Sequence, residues 1–226
     1  MNKTMFPDIL RRNFYGRRAF DDVGKRFSNQ ISITAETAVG KSDTISAMQK
    51  LLPQNTFTSI GAKMRERQKE LGFKTIEEFT THMRFHPEEG HDEAVDSEFC
   101  RRALVQNLLV GEGRLVHVFM PYAFHVLLIC HPFVRAQRRW KAWRKKDPKL
   151  KQETVLGAIL DRDRDDESRY EENYPGCIWD KSDYDLVVST EYQSQEQVAR
   201  KIVEGHQIWF GKFGRNSKQI IAENWI

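Results

Sequence analysis

The chain alternates between short apolar runs rich in β-branched residues and longer stretches with helical spacing. Residues 30–34 read QISIT and predict a strand, which is followed by a loop of small residues and a helix that begins at Asp43. Further strands are predicted at residues 108–110, 124–130 and 184–190, with helical patterns between them. Because strands that alternate with helices usually form a parallel sheet covered on both faces, the pattern predicts an α/β fold.

Some predicted helix ends carry local signals. Thr75 and Glu78 have the spacing of a capping box and predict the start of a helix, whereas Gly72 is typical of the end of the preceding one. Residues 53–58 interrupt the helical pattern and are assigned to no element. A long helix is predicted from residue 154 to about residue 173, and a closing helix from residue 194 to residue 204.

The composition is that of an ordinary globular protein. The 226 residues include 36 basic and 32 acidic side chains, with 39% hydrophobic and 30% charged residues. These values exclude a disordered tail and a disulfide-stapled peptide, and the small net charge of +4 argues against wholesale nucleic-acid binding.

Cys100, Cys130 and Cys177 form no CxxC pair, which argues against a zinc ribbon. Because neither a signal peptide nor an apolar stretch of bilayer length is evident, we expect a cytoplasmic protein with no membrane partner.

A loop between the first predicted strand and the first predicted helix ends in Gly40-Lys41-Ser42. In phosphate-binding loops, backbone N–H groups and a helix N-terminus face a polyphosphate, while a lysine and a hydroxyl serve its charge and its magnesium ion. The full GxxxxGK[ST] pattern fails at its first position, where Ala35 stands in place of glycine. The tripeptide alone is therefore equally compatible with an incidental surface turn.

Further short segments follow this loop in a definite order. Residues 59–66 read SIGAKMRE, residues 112–115 read EGRL, residues 132–139 read PFVRAQRR, and residues 162–169 have the spacing RxxxDxxR. From about residue 30 to residue 202, this series resembles the cytidylate kinases, especially the compact archaeal type, within the P-loop nucleoside monophosphate kinases.

That resemblance implies a P-loop NTPase fold of three α/β/α layers, with a central parallel sheet, a helical monophosphate-binding subdomain and a lid. The kinase-like domain would span residues 30–226, with an acceptor-binding region at 57–107 and a lid region at 133–172, after an N-terminal arm at 1–29. The implied reaction transfers the γ-phosphate of ATP to CMP or dCMP with Mg²⁺ as cofactor. Such catalysis consists mainly of positioning and charge neutralisation.

The resemblance also implies the site residues. Lys41 would contact the terminal phosphates of ATP and Ser42 would hold Mg²⁺. The ATP-binding residues would be Ala38, Val39, Gly40, Lys41, Ser42 and Asp43. The acceptor would be bound by Ser59, Arg65, Arg114, Asp166 and Arg169. The catalytic charges would come from Lys41, Arg135, Arg162 and Arg169.

The spacing of Arg162, Asp166 and Arg169 places all three on one helix face, with the aspartate expected to hold a guanidinium in a bidentate pair. A solvated ladder of salt bridges is the alternative interpretation of this segment. Two departures from the family's loop, Ala35 and Ala38, are expected to weaken donor binding, since a methyl group at a position with φ > 0 costs on the order of 1 kcal/mol.

Two other clusters have alternative interpretations. Residues 135–151 are strongly basic and include Trp140 and Trp143, which suits either a lid over a triphosphate or a nucleic-acid surface. The histidines at 82, 86 and 91, with Asp92, could bind a metal ion, but exposed or capping histidines are the preferred interpretation. A kinase for another monophosphate and a catalytically silent nucleotide-binding protein stay open as alternative functions, and the oligomeric state is not predicted.

Overall fold

The computed structural model describes residues 29–120, 123–173 and 180–213. The strands within these residues are β1 (Ile31–Ala35), β2 (Thr56–Ser59), β3 (Leu109–Gly113), β4 (Phe124–Ile129) and β5 (Leu186–Ser189). The α-helices are α1 (Lys41–Leu51), α2 (Ile60–Glu70), α3 (Ile76–Phe85), α4 (His91–Val105), α5 (Val116–Phe119), α6 (Pro132–Trp143), α7 (Gln152–Asn173) and α8 (Gln195–Phe213). Two 3₁₀ turns lie at Pro87–Glu89 and Lys181–Asp183.

The five strands form one sheet in the order β2-β3-β1-β4-β5. β2 runs parallel to β3, with Phe57 opposite Val110, and β4 runs parallel to β5, with Leu127 opposite Val187. All five residues of β1 are buried, as expected for the central strand of a parallel sheet with helices on its faces. The predicted α/β class, with a central parallel sheet between flanking helices, is confirmed.

The strand β2 is the main difference from the sequence-based prediction, which assigned residues 53–58 to no element. Its sequence, TFTS, is only partly buried and lies at an edge of the sheet. A short edge strand lacks the continuous apolar run that marks the buried strands of a parallel sheet, and for this reason the pattern did not reveal it.

The chain divides into two compact units. Of the described residues, the first comprises 29–32, 54–120, 123–124 and 209–213. Its buried residues include Phe79, Phe99 and Leu109. On β3, Gly111 allows close approach of its neighbours, because an added Cβ would lie 2.5 Å from Met120 Sδ and 2.6 Å from Phe99 Cζ.

Local hydrogen bonds fix the helix starts of this first unit. Ser59 Oγ accepts a hydrogen bond of 3.0 Å from the backbone N–H of Ala62 at the start of α2. Thr75 Oγ1 accepts one of 3.1 Å from the N–H of Glu78 at the start of α3. The helix start predicted from the Thr75–Glu78 spacing is thus confirmed.

The second unit comprises Ile33–Pro53 and His125–Ile208. Within it, α6 and α7 pack through a small apolar cluster made of Ala136, Val155 and Ile159, against which Trp140 and Leu150 lie. The predicted long helix at 154–173 is confirmed, and it begins at Gln152.

Cys100 and Cys130 are buried free thiols. The N-terminal arm up to residue 28, Cys177, and the tail after residue 213 lie outside the described residues. Within the described ranges, no helix combines the length and the apolar character that crossing a bilayer requires.

Candidate phosphate-binding site

The sheet topology points to one place for a ligand. β1 and β4 are neighbours, but the chain leaves β1 toward β2 on one side of the pair and leaves β4 toward β5 on the other side. Ligands of open parallel sheets bind outside the carboxyl ends of strands whose connections diverge in this way. The loop at residues 36–40 follows β1, and α6 follows β4. Both belong to the second unit, so this unit contains the candidate site.

The loop enters α1 through a left-handed residue. Gly40 has φ +92° and is the N-cap of α1, and the N–H of Thr44 donates to Gly40 O over 3.1 Å. Because Gly40 carries no side chain, the cap offers no acceptor to the N–H groups of the first turn, which is the arrangement that suits a bound anion. Lys41 is half-buried at the start of the helix, while Ser42 and Asp43 are exposed.

The two alanines that replace family glycines differ in conformation. Ala38 has φ +62°, so its methyl group sits in the left-handed region that favours glycine. Ala35 is fully buried as the last residue of β1, and among the described non-glycine residues only Ala38 and Leu108 have positive φ. The expected backbone strain therefore falls on Ala38, and the position of Ala35 does not require glycine.

Arg135 binds the first half of this loop. Its side chain is only 2% exposed, and Nη1 donates to Thr37 O over 2.9 Å and to Asp163 Oδ2 over 2.6 Å. Nη2 lies 3.5 Å from Glu36 Oε2. The other oxygen of Asp163, Oδ1, accepts a 3.1 Å hydrogen bond from the N–H of Thr37. One buried guanidinium and one carboxylate thus fix both backbone polar groups of Thr37.

A second contact fixes the other half of the loop. Thr190, which directly follows β5, donates from Oγ1 to Val39 O over 2.9 Å. Arg138 on α6 holds Thr190 in turn, because its Nη2 donates to Thr190 O over 2.7 Å and to Glu191 O over 2.8 Å. Two loop carbonyl groups, those of Thr37 and Val39, are therefore engaged by protein donors, which reduces their repulsion of an anion.

Two of the three residues expected on one face of α7 lie close together. Asp166 is buried, and its Oδ1 lies 3.6 Å from Arg169 Nη2, while its bidentate pairing with a guanidinium stays a prediction. Arg169 also donates from Nη2 to Tyr170 Oη over 2.8 Å and lies over the Tyr170 ring. Arg162 is half-buried on the same helix. Asp163 and Asp166 are three residues apart, so the side of α7 that bears Asp166 also reaches the loop.

The predicted acceptor residues outside α7 belong to the first unit. Ser59 caps α2, Arg65 is exposed nearly two turns further along that helix, and Arg114 is half-buried directly after β3. Their role in binding an acceptor stays a prediction.

Each tryptophan of the basic segment has an arginine guanidinium over its ring. The Arg139 guanidinium lies 4.4 Å from the centroid of the Trp143 ring, and that of Arg144 lies 4.6 Å from the Trp140 ring. Trp140 also donates from Nε1 to Leu150 O over 2.8 Å. Trp143 is nevertheless 44% exposed, and the lid and the nucleic-acid surface both stay predictions for this segment.

Sequence reasoning missed four residues that hold the loop, namely Glu36, Arg138, Asp163 and Thr190. Asp163 lies within the RxxxDxxR segment that was singled out, where it is one of several acidic residues with no distinguishing mark. Its special position comes from contact with Arg135, which is 28 residues away in the chain.

Comparisons with known proteins give weak but consistent similarities. No protein-family model matches the chain. It is 29% identical over 178 residues to an S-adenosylmethionine-dependent nucleotide dehydratase of Lacinutrix mariniflava, which covers 79% of this chain but only 36% of that protein. It is 27% identical over 175 residues to a cytidylate kinase of Thermoplasma volcanium, which covers 75% of this chain and 87% of that protein.

A solved structure from Chloroflexus aurantiacus, provisionally described as a kinase, has a similar fold. The TM-score is 0.51 at 12% identity, over 81% of this chain and 98% of the other. The two chains share an α/β fold, and at 12% identity the likeness shows the fold alone.

Proposed function

We propose that this protein is an ATP-dependent kinase that phosphorylates a nucleoside monophosphate, with CMP or dCMP as the acceptor. The observation that carries the proposal is the anchored loop before α1. Its two halves are fixed by Arg135 with Asp163 and by Thr190, and it ends at an N-cap without a side chain, beside Lys41. A fixed loop of this kind provides pre-oriented N–H groups for a polyphosphate.

The nucleotide nature of the acceptor is supported by the two sequence relatives. One is named a cytidylate kinase and the other a nucleotide dehydratase, so both names refer to a nucleotide. The chain spans only 36% of the dehydratase's length. The choice of cytosine rests on the resemblance of residues 59–66, 112–115 and 162–169 to the cytidylate kinases.

In this proposal Lys41 neutralises charge on the terminal phosphates, and the exposed hydroxyl of Ser42 is a suitable oxygen ligand for Mg²⁺, which keeps most of its waters. Bound Mg²⁺ would neutralise charge on the donor phosphates. Arg65 and Arg114 would hold the acceptor phosphate, and Arg162 and Arg169 would neutralise the charge that develops between the two nucleotides. No general base is needed.

The test is a coupled assay of ADP release with ATP, Mg²⁺ and each common nucleoside monophosphate. We expect turnover with CMP or dCMP above that with UMP, AMP or GMP. Lys41→Ala should lower turnover at least about a hundredfold, the size of effect seen when one group that stabilises transition-state charge is removed. Lys50→Ala is the matched control, because Lys50 is an exposed lysine in the last turn of the same helix.

A catalytically silent nucleotide-binding protein is the second candidate. Two observations favour it: the Arg135 guanidinium is occupied by Thr37, Glu36 and Asp163, and Ala38 carries a methyl group at positive φ. Binding of ATP without turnover on any monophosphate would support this candidate. Turnover with a purine monophosphate would support a kinase for another acceptor, and absence of ATP binding would contradict all three.

A further inference from the structure

Three side chains converge at the turn between α3 and α4 in the first unit. His82 Nε2 lies 2.9 Å from Glu89 Oε2, and His91 Nε2 lies 2.8 Å from the same oxygen. The three potential ligand atoms all lie within 4.8 Å of one another. One carboxylate oxygen is thus shared by two imidazole rings that come from different helices.

The local fold accounts for this convergence. His82 is in the last turn of α3, Glu89 ends the 3₁₀ turn, and His91 is the first residue of α4. Between them Gly90 has φ +66°, a left-handed conformation that lets the chain turn directly into α4. The turn therefore brings Glu89 and His91, which follow His82 by seven and nine positions, back to the His82 ring.

Neighbouring aromatic rings hold both imidazoles in place. The Phe73 ring lies 5.0 Å from that of His82, and the Phe79 ring lies 5.6 Å from that of His91, measured between centroids. The side chain of His91 is 10% exposed, whereas that of Glu89 is 40% exposed. The cluster is thus fixed on its apolar side and open to solvent at the carboxylate, where a further ligand such as water could complete a coordination sphere.

We propose that His82, Glu89 and His91 bind a divalent transition-metal ion of the zinc class, which links α3 to α4. Two imidazole nitrogens and one carboxylate oxygen suit Zn²⁺, Co²⁺ or Ni²⁺, whereas Mg²⁺ and Ca²⁺ favour sites made of oxygen ligands. A zinc ion about 2.0–2.2 Å from each ligand separates the ligand atoms by roughly 3.3 Å. The two nitrogen–oxygen distances, now 2.9 and 2.8 Å, would lengthen by about 0.5 Å. The two imidazole nitrogens, which now lie within 4.8 Å of each other, would approach by up to about 1.5 Å. The site is independent of the proposed kinase activity.

Sequence reasoning considered these histidines but grouped them differently. It grouped His82, His86 and His91 with Asp92, with positions 82 and 86 on one helix face, and it preferred exposed or capping histidines. In the structure His86 bonds Glu88 over 3.3 Å and is not among the three converging groups. The carboxylate that completes the site is that of Glu89, which the helical spacing of the histidines does not indicate.

The site can be tested on the full chain after removal of any affinity tag and of bound metal. Zn²⁺ titrated without Mg²⁺ or nucleotide should bind one ion per chain and raise the melting temperature by on the order of 5 °C at about a hundredfold excess over Kd. Co²⁺ bound in its place should give the visible absorption of a four-coordinate site. Glu89→Gln and His91→Asn should each weaken Zn²⁺ binding at least about tenfold.

Two neighbouring substitutions serve as controls. His86→Asn and Glu88→Gln change the adjacent His–Glu pair of the same turn and should alter Zn²⁺ affinity less than about twofold, within ordinary context effects. Because Glu89 is exposed, Glu89→Gln should fold as the parent does, so a loss of Zn²⁺ binding in this variant reports on ligation. The proposal is overturned if Zn²⁺ does not bind saturably, if Glu89→Gln retains full affinity, or if the controls lose as much affinity as the site variants.

Discussion

The residues proposed to bind the donor and those proposed to bind the acceptor are held by different kinds of interaction. On the donor side, the loop after β1 depends on a buried ion pair between α6 and α7, with Arg135 only 2% exposed. On the acceptor side, Ser59 is held by a hydrogen bond to a residue three positions away, and Arg65 is exposed. The donor side should therefore be sensitive to single substitutions far along the chain, whereas the acceptor side should tolerate surface changes with little loss of stability.

The largest effect is expected when Arg135 and Arg65 are each replaced by alanine. Arg135→Ala leaves the carboxylates of Glu36 and Asp163 without their buried cation, so the free energy of unfolding should fall by about 3–5 kcal/mol. Arg65→Ala should change it by less than about 0.5 kcal/mol, because Arg65 lies on the surface. Denaturant unfolding of both variants measures the difference, and equal losses would contradict the contrast between the two sides.

A smaller effect is expected for the carboxylate that bonds the loop. Asp163→Asn keeps the size of the side chain but removes the negative charge beside Arg135, which should cost about 2 kcal/mol of stability and weaken ATP binding. Asp165→Asn is the matched control, since Asp165 is exposed two residues further along α7. Calorimetric titration with ATP checks the binding, and the account is wrong if the two variants bind ATP alike.

The second unit should also lose stability in mild acid through His206 on α8. Burial lowers the pKa of His206 from its ordinary value of 6.5 to about 4, so the folded protein holds this ring neutral. The unfolded chain then binds more protons between these two pH values, and stability falls as the pH is lowered through that window. The loss should reach about 2 kcal/mol between about pH 7 and about pH 5. Unfolding of the parent and of His206→Gln across this range should show a shallower slope for the variant, and identical slopes would exclude His206 as the cause.

The smallest effect concerns the strained alanine of the loop. Ala38→Gly removes a methyl group from a position with φ +62° and should stabilise the protein by up to about 1 kcal/mol, with tighter ATP binding. Ala62→Gly in the exposed first turn of α2 should have the opposite sign and cost up to about 1 kcal/mol, because it adds only chain entropy to the unfolded state. Thermal melts show whether each variant is more or less stable than the parent protein. Destabilisation by Ala38→Gly would count against strain at this position.

The features predicted well from sequence are those set by neighbouring residues. The strand at 30–34, the helix after the loop and the capping of α3 by Thr75 all follow from local spacing, and the structure confirms them. The edge strand β2 was missed because its stability comes from pairing with β3, about fifty residues later in the chain.

In the candidate site, too, contacts between residues far apart in the chain could not be predicted. Residues of the loop itself could be named from the GKS segment, but its fixation by Asp163 and Thr190 could not, because these contacts join residues 126 and 151 positions apart. Arg135 was expected among the catalytic charges, and in the structure its guanidinium is engaged by the loop and by Asp163. A basic segment gives no indication of which arginine will be buried, since that depends on how α6 and α7 pack.

The central claim is that the loop before α1 binds the phosphates of ATP. A crystal structure with a non-hydrolysable ATP analogue, Mg²⁺ and CMP tests it most directly. The account predicts that the terminal phosphates lie within hydrogen-bonding distance of the loop N–H groups and of Lys41, with Mg²⁺ at Ser42. Nucleotide bound elsewhere, or phosphates that contact neither Lys41 nor the loop, would contradict it.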